Sequence, residues 1–240
     1  MIYALILVLG LLAGCLSGIV GTGASIILLP VLVFQFGPQQ AVPIMAVAAL
    51  MGNVAKAASW WRDVDWRAFL AYAVPGMAAA ALGAQTLLVL PAGYAETAIG
   101  LFFLIMIPVR HYLRSRRRSI GVVGLGATGG VVGFLSGIVL STGPLSIPAF
   151  VAYGLTRGAL ISTEAVASFA VATGKVWSFW QVGALPPDVI LKGTVIGAAI
   201  MAGAFVGKAV VQRMSVAAFE IAIDLMLGCA GLSMLWAALT

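Results

Sequence analysis

Two lysines inside apolar segments are the residues whose type and position most directly predict chemistry. Lys56 and Lys175 are separated by 119 positions (175 − 56 = 119). An ammonium group deep in hydrocarbon costs a few kcal/mol, so it usually faces a cavity or a partner. The alternative for Lys56 is that its stem reaches the surface, because Arg62 follows six positions later; Lys175 has a longer apolar run after it. An anion is the partner that a buried ammonium group would bind. Asn53 and Thr173 lie beside the lysines and could donate hydrogen bonds to such an anion.

A segment with a Gly/Ser/Thr interruption occurs twice, at residues 14–30 and 133–148, with the same offset of 119 (133 − 14 = 119). A helix interrupted in hydrocarbon leaves backbone N–H groups without partners, and the start of the next helix favours an anion. A packing kink would explain one interruption, but two at matching positions favour a binding site between the repeats. The predicted substrate-binding residues are Thr22, Gly23, Ala24, Ser25, Asn53, Lys56, Ser141, Thr142, Gly143, Thr173 and Lys175.

Two acidic residues are candidates for coupling transport to protons. Glu164 begins a predicted span after Thr163, and a surface cap of the helix is the favoured interpretation of it. Asp224 lies deeper in its apolar segment, where a structural ion pair is favoured over a coupling role. Its predicted partners are Lys175, Lys192 and Lys208.

The sequence offers little for metal or cofactor chemistry. His111 is the single histidine and lies in an arginine-rich connection, and the two cysteines, Cys15 and Cys229, lie in apolar runs. We therefore expect no metal site, no cofactor and no enzyme. The enzymatic alternative that remains is an intramembrane hydrolase that uses a serine–lysine pair, Ser141 with Lys175.

The composition sets the class of protein that must position these residues. The chain is 62% hydrophobic and 8% charged, its mean hydropathy is +1.14, and several apolar runs reach the roughly 20 residues that cross a bilayer as a helix. We expect an all-α polytopic membrane protein with about eight transmembrane helices in two homologous halves, each with a broken first helix. The predicted segments are residues 2–20, 24–36, 41–61, 68–90, 94–109, 120–140, 145–153, 159–180, 189–211 and 217–239.

The net charge of +6 is concentrated in one place. Five arginines lie between residues 110 and 118, and basic residues beside membrane spans stay on the cytoplasmic side. We predict a first repeat at residues 1–112, a basic cytoplasmic loop at 113–119 and a second repeat at 120–240. Four crossings per half would give parallel repeats with both termini in the cytoplasm, whereas a broken helix that adds a crossing would give inverted repeats. Membrane lipid is an expected partner, a homo-oligomer is possible, and no nucleic-acid motif is present.

The repeated glycine segment and the lysines resemble the sulfite exporter TauE/SafE family over essentially all 240 residues. The motif is a glycine-rich break followed by apolar residues and proline, here Gly14–Pro30 and Gly133–Pro148. The resemblance implies a multi-pass transporter of the bacterial inner membrane that moves a small anion, sulfite or an organosulfonate. The longer glycine run that many members carry at the break is reduced here to Gly21-Thr22-Gly23. A non-transporting membrane assembly subunit is the third alternative, after the transporter and the hydrolase.

Overall fold

The computed structural model describes residues 8–15, 23–60, 63–115, 119–139, 143–211 and 216–239, and these residues form helices and short connections without a strand. Residues 8–15 form α1. The remaining helices are α2 Gly23–Phe36, α3 Pro38–Trp60, α4 Trp66–Val89, α5 Ala92–Ser115, α6 Val122–Val139, α7 Gly143–Tyr153, α8 Arg157–Gln181, α9 Pro187–Val211 and α10 Val216–Leu239. The prediction of an all-α membrane protein is confirmed.

Four helices of the described part are long and apolar enough to cross a membrane: Trp66–Val89, Ala92–Tyr112, Val122–Val139 and Gly158–Gln181. Prolines lie inside α2, α3, α4, α5 and α7. Membrane helices tolerate internal proline because neighbouring helices and local adjustments satisfy the freed backbone groups. The short helices α2 and α7 are followed by Gly37 and Gly154, whose φ angles of 72° and 112° lie in the region that favours glycine.

The first turn of α4 has a clear local cause. Asp65 has extended backbone geometry, and its Oδ1 accepts a hydrogen bond of 2.9 Å from the backbone N–H of Ala68. This is the N-cap arrangement that satisfies one of the free donors at a helix start. The backbone N–H of Asp65 donates to Thr163 Oγ1 at 2.9 Å, so the turn before α4 is tied to α8.

Helices α4, α6 and α8 pack side by side and run in the same direction. A Cβ on Gly129 of α6 would overlap with Tyr72 of α4, and one on Gly137 would approach Ala80. These contacts advance together along both helices. Between α4 and α8, contact moves in the same way from Asp65 with Thr163 to Met77 with Gly174.

A second group consists of α3, α9 and α1. Gly193 and Gly197 of α9 approach Ile44 and Ala48 of α3, respectively, so these two helices are also parallel. Gly14 of α1 lies directly against the backbone of α9. Helices α5 and α10 pack in opposite directions, because Gly93 lies near Ala238 and Gly100 lies near Gly231.

These contacts define two ends of the bundle. We call one of them the basic end, and there the α3–α4 turn meets the first turns of α8. At the same end the backbone N–H of Ile120, just before α6, donates to Ala152 O of α7 at 2.9 Å. The opposite end holds the start of α3, where Gln39 Nε2 donates to Leu90 O at 3.0 Å. Both described chain ends, in α1 and α10, lie toward this opposite end, and not toward the basic end as four crossings per half would require.

Candidate functional site

The centre of the candidate site is Lys175, which is 3% exposed. Its Nζ donates to Ser136 Oγ at 2.8 Å and lies 3.4 Å from Ser136 O. The neighbouring Gly174 contacts Met77, which lies halfway along α4, so the lysine is level with the middle of that helix. The structure therefore buries Lys175, as the sequence predicts. The groups that hold its ammonium nitrogen, Ser136 Oγ and Ser136 O, are uncharged.

Ser136 was not among the predicted site residues, although it contacts the lysine. It lies on α6, one turn before that helix ends at Val139, and is 3% exposed. In the sequence this serine belongs to the repeated motif that precedes the break. Its match with Ser17 at the offset of 119 (136 − 119 = 17) was a signal that could have identified it.

A second buried hydroxyl on the same face of α8 is Ser178, which is 2% exposed and donates to Ala81 O of α4 at 3.0 Å. Ser178 follows Lys175 by three residues, and residues three apart lie on one face of a helix. The side of α8 that faces α4 and α6 is therefore polar at two successive turns.

The two predicted breaks precede α2 and α7, which begin at Gly23 and Gly143. Ala24 is buried and Ser25 is half-buried. The short helices thus begin one and two residues before the predicted segments 24–36 and 145–153, respectively. Three residues of the predicted site, Thr22, Ser141 and Thr142, lie outside the described residues.

The remaining predicted donors do not gather around Lys175 in the described part of the chain. Thr173 is exposed, and its hydroxyl donates to Phe169 O of its own helix at 2.9 Å. Asn53 is half-buried on α3. Lys56 belongs to α3 as well, but its side chain lies outside the described part.

The prediction that Glu164 caps a helix at the surface is wrong. Helix α8 begins at Arg157, seven residues earlier, and Glu164 is 7% exposed. Its Oε1 accepts hydrogen bonds from Ser168 Oγ at 2.8 Å and from Ser146 Oγ of α7 at 3.2 Å. A buried carboxylate is tolerated when hydroxyl donors satisfy it, and here they come from two different helices.

Ion pairing of Asp224 is observed, but not with the predicted lysines that the structure describes, because Lys175 and Lys192 bind other groups; the side chain of Lys208 lies outside the described residues. Asp224 Oδ1 lies 3.0 Å from Arg110 Nη1, and Asp224 Oδ2 lies 2.8 Å from His111 Nε2. Both partners were assigned to a loop, but α5 continues to Ser115 and carries them beside α10. Lys192 pairs instead with Asp188 at 3.0 Å and lies over the Phe36 ring.

Comparison with protein families finds a match that covers most of the chain. The model of the family described as sulfite exporter TauE/SafE matches residues 6–234 of the 240. No curated protein and no solved structure matches the chain. The matched range contains both copies of the glycine segment and both lysines.

Proposed function

We propose, on the premise that this chain belongs to the sulfite exporter TauE/SafE family, that it transports sulfite or an organosulfonate by alternating access between two repeats. Family membership makes it a multi-pass transporter of the inner membrane. The substrate and the mechanism are the proposal. The observation that carries it is Lys175, an ammonium group buried at mid-helix with uncharged partners.

The lysine supports an anion as substrate. A buried cation is unfavourable until a counter-charge neutralises it, and an oxyanion can also accept hydrogen bonds from an ammonium group. Ser136 Oγ, at 2.8 Å from the ammonium nitrogen, would share the anion with Lys175. The N–H groups at the start of α7, including Gly143, would supply further donors.

Repeated contacts support the division into two halves. Gly14 lies against the carbonyl of Ile200, and Gly133 lies against that of Gly76. The two glycines that make these contacts, Gly14 and Gly133, differ by 119 positions (133 − 14 = 119). The residues that they contact, Gly76 and Ile200, differ by 124 (200 − 76 = 124). In each half the helix before the break thus packs on the fourth helix of the other half.

The helix directions support inverted repeats. Helix α3 runs from the opposite end to the basic end, since Gln39 lies beside Leu90, and α8 runs the other way from Thr163 beside Asp65. We assign residues 1–112 and 120–240 to the repeats and the arginine-rich connection to the cytoplasm. Each half would contain a hairpin of a long and a short helix followed by three crossings, in place of the four crossings in a parallel arrangement.

Transport by purified protein in liposomes tests this function. We expect saturable flux of labelled sulfite and labelled methanesulfonate, which sulfate and taurine would inhibit to different extents. Gly143→Leu should abolish flux by blocking the start of α7, whereas Gly130→Leu should retain it, because nothing lies within 4 Å of a Cβ at Gly130. Absence of binding and flux for every sulfur oxyanion would contradict the proposal.

The hydrolase alternative now involves a different serine. Ser136 Oγ lies 2.8 Å from Lys175 Nζ, which is the distance of a serine–lysine pair, whereas Ser141 lies outside the described residues. A fluorophosphonate probe distinguishes the two functions. Covalent labelling of wild type that is lost in Ser136→Ala would indicate a hydrolase, and a transporter would remain unlabelled.

A further inference from the structure

A buried cluster of one carboxylate and two serine hydroxyl groups lies between α7 and α8, away from Lys175. Glu164 accepts hydrogen bonds from Ser146 of α7 and Ser168 of α8. Glu164 and Ser146 are 7% and 3% exposed. Thr163, beside the acid, is bonded to the α3–α4 turn, so the cluster lies toward the basic end of the bundle.

The equivalent place in the other half is apolar. The offset of 119 relates Glu164 to Met45 (164 − 119 = 45), Ser146 to Ile27 and Ser168 to Ala49. Met45 is 1% exposed and belongs to the hydrophobic core. Packing at this position therefore does not require an acid, and a buried carboxylate is less favourable than an apolar side chain of similar size. The cluster is a property of one half alone, which indicates a role beyond folding.

We propose that Glu164 is the proton-binding residue that couples proton movement to anion movement in this transporter. The proposal rests on the proposed function, because it takes the anion to bind near the start of α7. Binding converts the carboxylate to a neutral carboxylic acid, whose new O–H can donate to a serine hydroxyl. No other reactant takes part in this step.

Helix α7 connects the two binding events. Ser146 follows Gly143, where α7 begins, by three residues, or about 4.5 Å along the helix axis. With about 3 Å more from the helix start to a hydrogen-bonded anion, and with Ser146 Oγ 3.2 Å from Glu164 Oε1, the anion and an ionised Glu164 would be on the order of 8 Å apart. By Coulomb's law at an effective dielectric constant of about 20, their repulsion weakens anion binding by roughly 30-fold. Protonation of Glu164 removes this repulsion, so the proton and the anion bind together and move in the same direction.

The groups that face Glu164 are few in the described part of the chain. Helix α4 presents Tyr72, which is buried near the carboxylate, and α6 and α7 have no charged residue in their sequences. Helix α3 also packs against α8 and carries Lys56, whose side chain lies outside the described residues. The α3–α4 turn brings Asp63 against Gly158 at the start of α8. Lys175 follows Glu164 by eleven residues, about 16 Å along α8, which is too far for direct pairing.

Equilibrium binding of labelled methanesulfonate to the purified full-length protein tests the inference. This sulfonate keeps one negative charge between pH 5.5 and 8, so any pH dependence comes from the protein. We expect wild type to bind more tightly as pH falls. Glu164→Gln should bind at pH 8 roughly 30-fold more tightly than wild type does, with no further change at lower pH. Glu96→Gln, an acid of α5 outside the cluster, should keep the wild-type pH dependence.

A second measurement needs no variant. Methanesulfonate added to the wild-type protein in weakly buffered solution should cause uptake of up to one proton per protein. Binding without proton uptake, pH dependence that survives in Glu164→Gln, or dependence on Na⁺ instead of pH would each overturn the inference while leaving anion transport intact. Absence of binding by sulfite and methanesulfonate at every pH would instead contradict the proposed function.

Discussion

The charged side chains within the helices of this transporter are satisfied in two different ways. Asp224 forms an ion pair with Arg110 and a hydrogen bond with His111, whereas Lys175 and Glu164 are held by hydroxyl and carbonyl groups. An ion pair is already neutralised, so it gains little from a ligand. A charge held by neutral groups can still gain an oppositely charged partner, an anion for Lys175 and a proton for Glu164.

At Lys175, replacement with methionine separates binding from stability. Lys175→Met keeps much of the side-chain volume and removes the charge. Because a hydrogen bond to a charged group contributes about 1.5–3 kcal/mol, we expect anion affinity to fall roughly ten- to hundredfold. The protein should fold and be at least as stable as wild type, since the desolvation of the ammonium group is gone. Methanesulfonate binding and thermal unfolding in detergent measure the two effects.

The matched control for this variant is Lys192→Met. Lys192 lies in the first turns of α9, pairs with Asp188 and is partly exposed. Because an exposed ion pair contributes little free energy, we expect the loss of Lys192 to change anion affinity by less than about twofold. Wild-type affinity and flux in Lys175→Met would remove the lysine from the site.

Asp65 allows a test of stability at a single cap. Asp65→Ala removes the acceptor for the Ala68 N–H, and we expect a loss of about 1 kcal/mol in the free energy of unfolding. Asp65→Asn retains a side-chain oxygen and should unfold close to wild type. Equal unfolding temperatures for the alanine and asparagine variants would show that the cap contributes nothing.

How much the sequence reveals about these residues depends on how far apart along the chain their contact partners lie. The burial of Lys175 followed from its long apolar surroundings, but its contact with Ser136 joins residues 39 positions apart. The burial of Glu164 could not be seen locally, because one of the hydroxyl groups that holds it, Ser146, lies 18 positions earlier on α7. The partners of Asp224 were missed because α5 continues beyond Val109, where its apolar run ends.

At the scale of the elements, close helix contact explains much of the glycine in this sequence. Small residues let membrane helices approach each other, where packing replaces the hydrophobic effect as the source of stability. Gly133 of α6 is an example, because a Cβ there would overlap with the carbonyl oxygen of Gly76 on α4. Gly130, on the same helix, has open space around it.

These two glycines give a matched pair of substitutions. Gly133→Ala should destabilise the protein by about 1–3 kcal/mol, because α4 and α6 must separate to admit the methyl group. Gly130→Ala should be neutral or up to about 1 kcal/mol stabilising, since alanine favours helix more than glycine does. Thermal unfolding of both variants measures the difference. Similar unfolding temperatures would mean that the two helices are not closely packed at Gly133.

For the molecule as a whole, the direction of the halves was the question that sequence left open. Composition and the offset of 119 predicted the helices and the repeats, but the number of crossings depends on whether the short helix after each break returns to its starting side. A contact within the second half bears on this, because the backbone N–H of Ile120 donates to Ala152 O beside the basic end. Helix α7 therefore returns toward the end from which α6 starts, which supports the odd number of crossings in the proposed inverted arrangement.

Inverted repeats predict which face of the membrane each connection occupies. In a variant without Cys15 and Cys229, we would place single cysteines at Ser119 and Val182, both exposed. Ser119 lies at the basic end and Val182 follows α8 at the opposite end. Since basic segments stay in the cytoplasm, an impermeant maleimide added to intact cells should label Val182→Cys and not Ser119→Cys. After permeabilisation both should react. If both cysteines were protected in intact cells, the α8–α9 connection would be cytoplasmic and the proposed arrangement of inverted repeats would be wrong.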